Sequence, residues 1–229
     1  MSGILYGVSV GPGDPELMTL KAVKTIQKCP VIAVPHSGAD ELVALNIARQ
    51  SVPELDEKEV IELYMPMTRD KAELESTRNE ATRKVTQLLE EGKDIAFLTL
   101  GDASIYSTYS YIHKRVLAQG FPAQIIPGVP SFCAVAARLN EGLTEAHQPL
   151  HIIPASYSGV DEGLSWTGTK VLMKTGKSLE KVKSRLRERK LYEHAKMVQK
   201  CGMEGERIFQ SLDDADEYAS YFSIIVVKD

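Results

Sequence analysis

The chain has 229 residues, 43% of them hydrophobic, and a formal charge of −4. That length allows one large or two modest domains with a real core, and the acidity disfavours a general polyanion binder such as a nucleic-acid protein. Cys29, Cys133 and Cys201 are too far apart for a disulfide framework or a CxxC zinc site, which predicts a reducing, cytoplasmic setting and no metal centre. No apolar run reaches the ~18 residues of a membrane span, and Met1-Ser2-Gly3 leads directly into a strand pattern rather than a signal peptide.

The first strand is predicted at 4–10, a short β-rich apolar run. Gly11-Pro12-Gly13-Asp14-Pro15-Glu16 follows. Asp14 suits an N-cap, Pro15 the first helical position and Glu16 the positive helix end, so a helix is expected over 15–28 with Leu17, Leu20, Val23 and Ile26 on its inner face. A dinucleotide fingerprint needs a small third residue where Glu16 stands, and a carboxylate in the first turn repels a pyrophosphate. A turn with only a packing role remains the plain alternative.

Further strands are expected at 30–35, 59–63, 94–99 and 122–126, with helices at 40–50, 70–91, 104–119 and 130–140. In the longest helix Ala81, Val85, Leu88 and Leu89 share a face, and Gly92 supplies the stop. Strict alternation argues for a mostly parallel α/β sheet. The pattern relaxes over 142–149, which places the domain boundary at 145/146. Strands at 150–154, 169–174, 194–199, 206–210 and 222–227 then predict a second α/β domain, 146–229, with a mixed sheet.

Ligands bind beyond the carboxyl ends of parallel strands. Three loops stand at such ends: Gly11-Pro12-Gly13-Asp14, Gly101-Asp102-Ala103-Ser104, and Pro127-Gly128-Val129-Pro130-Ser131. For the second, a helix cap by Asp102 or Ser104 explains the residues equally well. Lys174-Thr175-Gly176-Lys177-Ser178 suggests a Walker loop, but its first glycine position is Val171, inside a strand, so no phosphate cradle forms. The basic run from Lys181 to Lys190 is interrupted by Glu188 and fits a solvated helix face better than a nucleic-acid site. His147 and His151 have Pro149 between them, which argues against a helical metal pair. His36 follows the second strand, which makes it a candidate for the same edge as the loops; a loop histidine with no ligand explains it equally well.

Taken together, Gly11-Pro12-Gly13-Asp14-Pro15 with Leu17 and Thr19, Gly101-Asp102, and Pro127-Gly128-Val129-Pro130-Ser131 resemble the tetrapyrrole methylase family over essentially the whole chain. Gly-Asp-Ala-Ser-Ile-Tyr-Ser, Val-Leu-Met-Lys and the ending Tyr221-Phe222-Ser223 are most similar to its branch acting on C-20 of precorrin-2. The resemblance implies two α/β domains with a cleft between them, a homodimer, S-adenosylmethionine as cofactor, and precorrin-2 or cobalt-precorrin-2 as substrate in cobalamin biosynthesis. By matching motif it implies cofactor contacts at Pro12, Leu100, Gly101, Asp102 and Ile105, at Ser131 and Phe132, near Lys174, Thr175 and Gly176, and near Cys201 and Gly202. Ala103 stands where the family commonly has proline, which leaves more backbone slack.

The implied chemistry is methyl transfer to a nucleophilic ring carbon with loss of the C-20 hydrogen. Asp102, Tyr106 and His36 are candidate proton acceptors by position. Lys174 and Arg138 are candidate partners for substrate carboxylates. Two rival readings fit the same loops: methylation of another tetrapyrrole position or another substrate on the same fold, and a non-catalytic tetrapyrrole-binding module. Asp102→Ala is expected to weaken cofactor binding far more than fold stability.

Overall fold

A computed structural model describes residues 1–38, 42–156, 159–216 and 220–228, with Lys177 described only in its backbone. It contains two compact units, Met1–Pro130 and Ser131–Asp229. Residues 40 and 41 of the helix expected over 40–50 lie outside the described residues.

In the first unit, β1 (Leu5–Ser9), β2 (Val31–His36), β3 (Glu59–Tyr64), β4 (Ile95–Thr99) and β5 (Ala123–Ile126) form one parallel sheet in the order β3-β2-β4-β1-β5. The central strands β1 and β4 are buried along their whole length, which explains their continuous apolar runs. On one face, Val8, Ala96 and Leu98 pack with Ala22 and Ile26 of α1 (Leu20–Lys28) and Leu45 and Ala48 of α2 (Val43–Ser51). On the other, Leu5, Ile95 and Phe97 pack with Val85 and Leu89 of α3 (Lys71–Glu90) and Tyr109 and Ile112 of α4 (Tyr109–Ala118). The helix after β1 and the helix after β4 therefore lie on opposite faces although the strands are neighbours. Their carboxyl ends form a topological switch point, the place where a crevice opens in such sheets.

Two helix expectations are corrected here. The stretch 15–28 is not one helix. Asp14 caps a single 3-10 turn, Pro15–Leu17, by accepting from the Glu16 N–H at 2.9 Å. Met18 and Thr19 are extended, and Thr19 caps α1 by accepting from the Ala22 N–H at 3.1 Å. The break rotates the inner face, so Ala22 and Ile26 are buried while Leu20 is 79% exposed. Accordingly, Leu20→Glu should leave the urea midpoint of the protein nearly unchanged, within about 0.5 kcal/mol, whereas Ile26→Ala should cost about 2–5 kcal/mol. The second correction concerns 104–119, where α4 begins only at Tyr109. Residues 102–108 form turns instead, and Tyr106 takes a left-handed φ of 49° that no helix accommodates.

In the second unit, β6 (Leu150–Pro154), β7 (Thr169–Met173), β8 (Ala195–Gln199), β9 (Arg207–Phe209) and β10 (Ser223–Val227) form a sheet of order β6-β7-β10-β8-β9. β6 and β7 are parallel, while β10 runs antiparallel to β7 and β8. Helices α5 (Ser131–Leu139), α6 (Val160–Gly163) and α7 (Leu179–Glu188) complete it. The sequence pattern puts α5 ahead of the boundary, but it packs on β8 and β10. Just beyond its end, Glu141 pairs with Lys196 and, at 3.4 Å, Lys228, and these ions hold the carboxyl below its usual range.

The basic run is less solvated than expected. Lys183 is buried and donates to the Ala215 carbonyl at 2.7 Å; Arg185 and Arg189 both pair with Asp161. These cations serve the packing of the unit. Val171 lies inside β7, as the rejection of a Walker loop required. No helix among the described residues is long and apolar enough to cross a membrane.

Candidate active site

Three strand ends are stitched together at the switch point. Beyond β1 and β4 the chain makes an antiparallel bridge between Gly11 and Gly101, with the Gly101 N–H donating to the Gly11 carbonyl at 2.7 Å. Ser9, the last residue of β1, donates through Oγ to the Ile126 carbonyl at 2.7 Å and accepts from the Ala103 N–H at 2.9 Å. Asp102 completes the set. Its Oδ2 accepts from the Gly128 N–H at 2.8 Å, tying the β4 loop to the β5 loop. Its Oδ1 accepts from the Ser104 N–H at 2.8 Å and from the Ser104 hydroxyl.

Asp102 is only 8% exposed. Burial by itself would raise its pKa, but the bonds from Gly128 and Ser104 outweigh burial and hold the carboxyl below its usual value. Both oxygens are thus committed within the unit. Asp102 is built as an anchor for two loops, which neither a cap nor a free base would need.

The glycines of these loops differ in role. A Cβ on Gly128 would lie 2.4 Å from the Ser9 Cβ and 3.0 Å from the Gly101 carbonyl oxygen, so packing alone demands glycine. A Cβ on Gly101 would meet nothing within 4 Å, although its φ is +73°. That is open space above a left-handed backbone, a place a ligand can approach closely. Next to it, Thr99 is 6% exposed and its Oγ1 has no hydrogen-bond partner. Buried hydroxyls are ordinarily paired, so this one is an exception within the first unit.

The other residues named for this edge are distributed as follows. Pro12 is buried in the β1 loop, and Leu100 packs partly buried against the α1/α2 face. Ile105 donates its N–H to the Asp102 carbonyl at 3.1 Å inside the β4 turn. Tyr106 follows, 47% exposed. His36 stands at the end of β2, its ring 5.6 Å from Tyr64 and its Nε2 3.9 Å from a Glu62 carboxylate oxygen. The β2–β4 ladder runs only to Ala33–Phe97, so His36 pairs with β3 alone.

In the second unit Lys174, Thr175, Gly176, Cys201 and Gly202 also gather at one sheet edge. β7 and β8 end there and β10 begins there. Lys174 and Gly176 after β7, and Lys200 and Gly202 after β8, all have left-handed φ of 58°, 32°, 51° and 72°. Left-handed lysines cost about 1–2 kcal/mol each, and such strain concentrates at functional sites. Burial lowers the Lys174 pKa. Thr175 is buried and donates to the Ser223 carbonyl at 3.2 Å, while the buried Ser223 Oγ is unpaired. The Gly202 N–H donates to Glu206 Oε2 at 2.6 Å. Cys201 is buried beside it, and Ser131 and Phe132 open α5.

Sequence reasoning missed Ser9, Thr99, Ser223 and Glu206. For the first three a signal existed: a hydroxyl at the end of an apolar strand. For Glu206 there was none, because only the return of the chain from 202 to 206 brings it to the Gly202 amide.

A parallel α/β sheet with two glycine loops and an anchored carboxylate at its switch point, followed by a mixed α/β sheet with a strained edge, defines a two-unit α/β ligand-binding enzyme. The chain belongs to the Tetrapyrrole (Corrin/Porphyrin) Methylases, whose family model matches residues 4–216. It is 34% identical to the cobalt-precorrin-2 C(20)-methyltransferase of Salmonella typhimurium, over 100% of this chain and 97% of that protein. It is also 34% identical to the probable cobalt-precorrin-2 C(20)-methyltransferase of Methanocaldococcus jannaschii, over 98% and 95%. Its fold is shared by a cobalt precorrin-4 methyltransferase, with TM-score 0.76 and 23% identity over 98% of this chain and 94% of that one. The uroporphyrin-III C-methyl transferase of Thermus thermophilus complexed with S-adenyl homocysteine shares it too, with TM-score 0.74 and 19% identity over 99% and 98%.

Proposed function

We propose that this methylase transfers the methyl group of S-adenosylmethionine to C-20 of precorrin-2 or cobalt-precorrin-2, a reaction of cobalamin biosynthesis. The observation that carries the reading is the end-to-end similarity to two C-20 enzymes, at 34% identity each. We further propose that it works as a cytoplasmic homodimer.

The residues at the switch point fit the cofactor. The space over Gly101 accepts a close approach. Glu16 and the committed Asp102 make this edge unsuited to a pyrophosphate but compatible with a cation. We assign Pro12, Leu100, Gly101, Asp102 and Ile105 to the cofactor in the first unit, with Ser131, Phe132, Lys174, Thr175, Gly176, Cys201 and Gly202 in the second. When bound, the cofactor supplies an electrophilic methyl on a sulfonium that leaves as a neutral thioether. The protein then has little charge to stabilise, and its residues act chiefly by holding the acceptor carbon and the methyl in line at ~3 Å.

In this reading Asp102 fixes the β4 and β5 loops and takes no proton. Removal of the C-20 hydrogen falls to Tyr106 or His36, both still accessible at the same sheet edge. Lys174 is the cation we assign to the substrate's carboxylates; Arg138, the other candidate, is engaged by the Glu206 carboxylate instead, at 2.8 Å.

Gly101→Ala tests the assignment. It should lower stability by only about 1–2 kcal/mol, the cost of a left-handed alanine, yet weaken S-adenosylhomocysteine binding by calorimetry about tenfold or more. Unchanged affinity would remove the cofactor from this edge. NMR of the product formed from precorrin-2, with and without cobalt, should show the new methyl on C-20. A methyl on another carbon would overturn the branch assignment, and no turnover despite substrate binding would favour a non-catalytic module.

A further inference from the structure

The turn after β8 has an unusual construction. Lys200 and Gly202 are both left-handed, so the backbone reverses around Cys201. Its closing hydrogen bonds are local: the Met203 N–H donates to the Lys200 carbonyl at 2.9 Å, and the Glu206 N–H to the Met203 carbonyl at 3.1 Å. Neither fixes the direction of the Gly202 amide. That is done by the Glu206 side chain, whose Oε2 accepts from the Gly202 N–H at 2.6 Å. The same carboxylate is gripped by Arg138 of α5, with Nε 2.8 Å from Oε1 and 3.1 Å from Oε2. The Glu206 side chain is only 19% exposed, whereas that of Arg138 is 51% exposed.

One carboxylate therefore joins two segments far apart in sequence. Arg138 belongs to the helix that opens with Ser131 and Phe132, and Gly202 belongs to the turn with Cys201. Both segments are assigned to the cofactor above. A charge-assisted bond from an amide to a carboxylate is about twice as strong as a neutral one, and this carboxylate is itself pinned by a guanidinium. The geometry has the features of a support that presents a binding turn in its bound shape, which raises affinity by removing an ordering cost.

We infer that Glu206, held by Arg138, is a positioning residue that pre-sets the Cys201–Gly202 turn for the methyl donor. The inference rests on the methyl-donor reading of this site. Glu206 touches neither donor nor acceptor in this scheme. It acts through the Gly202 amide, and Arg138 acts through Glu206.

Three variants of the full chain test it: Glu206→Ala, Glu206→Gln and Arg138→Met. Glu206→Ala should raise the Kd for S-adenosylhomocysteine about tenfold and raise the KM for S-adenosylmethionine in step, with kcat at saturation nearly unchanged. Hydrogen exchange at the Gly202 amide, followed without ligand, should speed up about tenfold or more. Glu206→Gln keeps an oxygen acceptor for Gly202 and should restore most of the affinity. Arg138→Met should fall between the two. If Glu206→Ala lowers Tm but leaves Kd within twofold of the parent protein, the role is structural and the inference is overturned. It is overturned equally if Glu206→Gln binds as poorly as Glu206→Ala, because the amide contact would then not be the cause. Failure of the unsubstituted protein to bind S-adenosylhomocysteine would instead overturn the methyl-donor reading itself, and this inference with it.

Discussion

Asp102→Ala should lower the stability of the protein by about 3 kcal/mol, because it strips the acceptor from the Gly128 and Ser104 amides at a nearly buried site. A scanning calorimeter should record this as a fall of about 6–12 °C in the transition of the first unit. Binding of S-adenosylhomocysteine should weaken by about tenfold or more at the same time. From the sequence alone, affinity is expected to suffer and stability to hold. The structure changes that expectation, since the carboxylate ties the β4 loop to the β5 loop. Asp102→Asn should be intermediate: its amide oxygen can serve one donor, but its NH2 group faces the other.

The pH dependence follows from the same bonds. The folded-state pKa of Asp102 lies below its ordinary value, so the carboxylate adds stability above the unfolded-state pKa of about 4. That contribution disappears as the pH falls through the lower, folded-state value. Urea titrations should thus show a steeper acid limb for the parent protein below about pH 4 than for Asp102→Asn. Identical acid limbs would show that the carboxylate is not held as described.

Gly128→Ala should destabilise the first unit by about 3 kcal/mol through a different route. The new methyl would sit 2.4 Å from the Ser9 Cβ and 3.0 Å from the Gly101 carbonyl oxygen, and neither belongs to a flexible side-chain end. The β5 loop would have to retreat, which lengthens the bond from the Gly128 amide to Asp102. Gly128→Ala and Asp102→Ala therefore damage one stitch, and the double variant should lose less than the sum of the two, by about 1 kcal/mol or more. Strict additivity in a double-mutant cycle would mean the loops are held independently. Against both stands Gly101→Ala, whose methyl meets only open space. Comparing the three variants separates glycine needed for packing from glycine needed for ligand approach.

Much of the fold is legible in the sequence. Runs such as Ile95-Ala96-Phe97-Leu98-Thr99 read as strands because both faces of a central parallel strand are apolar, and all ten strand positions are recovered to within about two residues. The loops that carry the family resemblance lie at strand ends for the same reason. Less legible are the elements where a local rule has two outcomes. Asp14-Pro15-Glu16 satisfies the rules for a helix start, but a 3-10 turn satisfies the same cap, and only the extended Met18 and Thr19 decide that the helix begins later. Asp102 and Ser104 read as a cap for the same reason and prove to be part of a cross-loop anchor. Helix α5 follows the first sheet in sequence yet packs with the second, because its interactions with β8 and β10 arise from segments more than fifty residues away.

By itself, the sequence determined the alternation of strands and helices, the positions of the glycine loops and the family they resemble. These depend on hydrophobic period, backbone chirality and the spacing of a few residues, all of which are local. Only the tertiary structure decided that Ser9, Asp102 and Gly128 form one stitch, that Gly101 faces open space while Gly128 does not, and that Glu206 serves Gly202. Those facts rest on hydrogen bonds and steric limits between residues distant in the chain, and such distances come into being only when the sheets assemble.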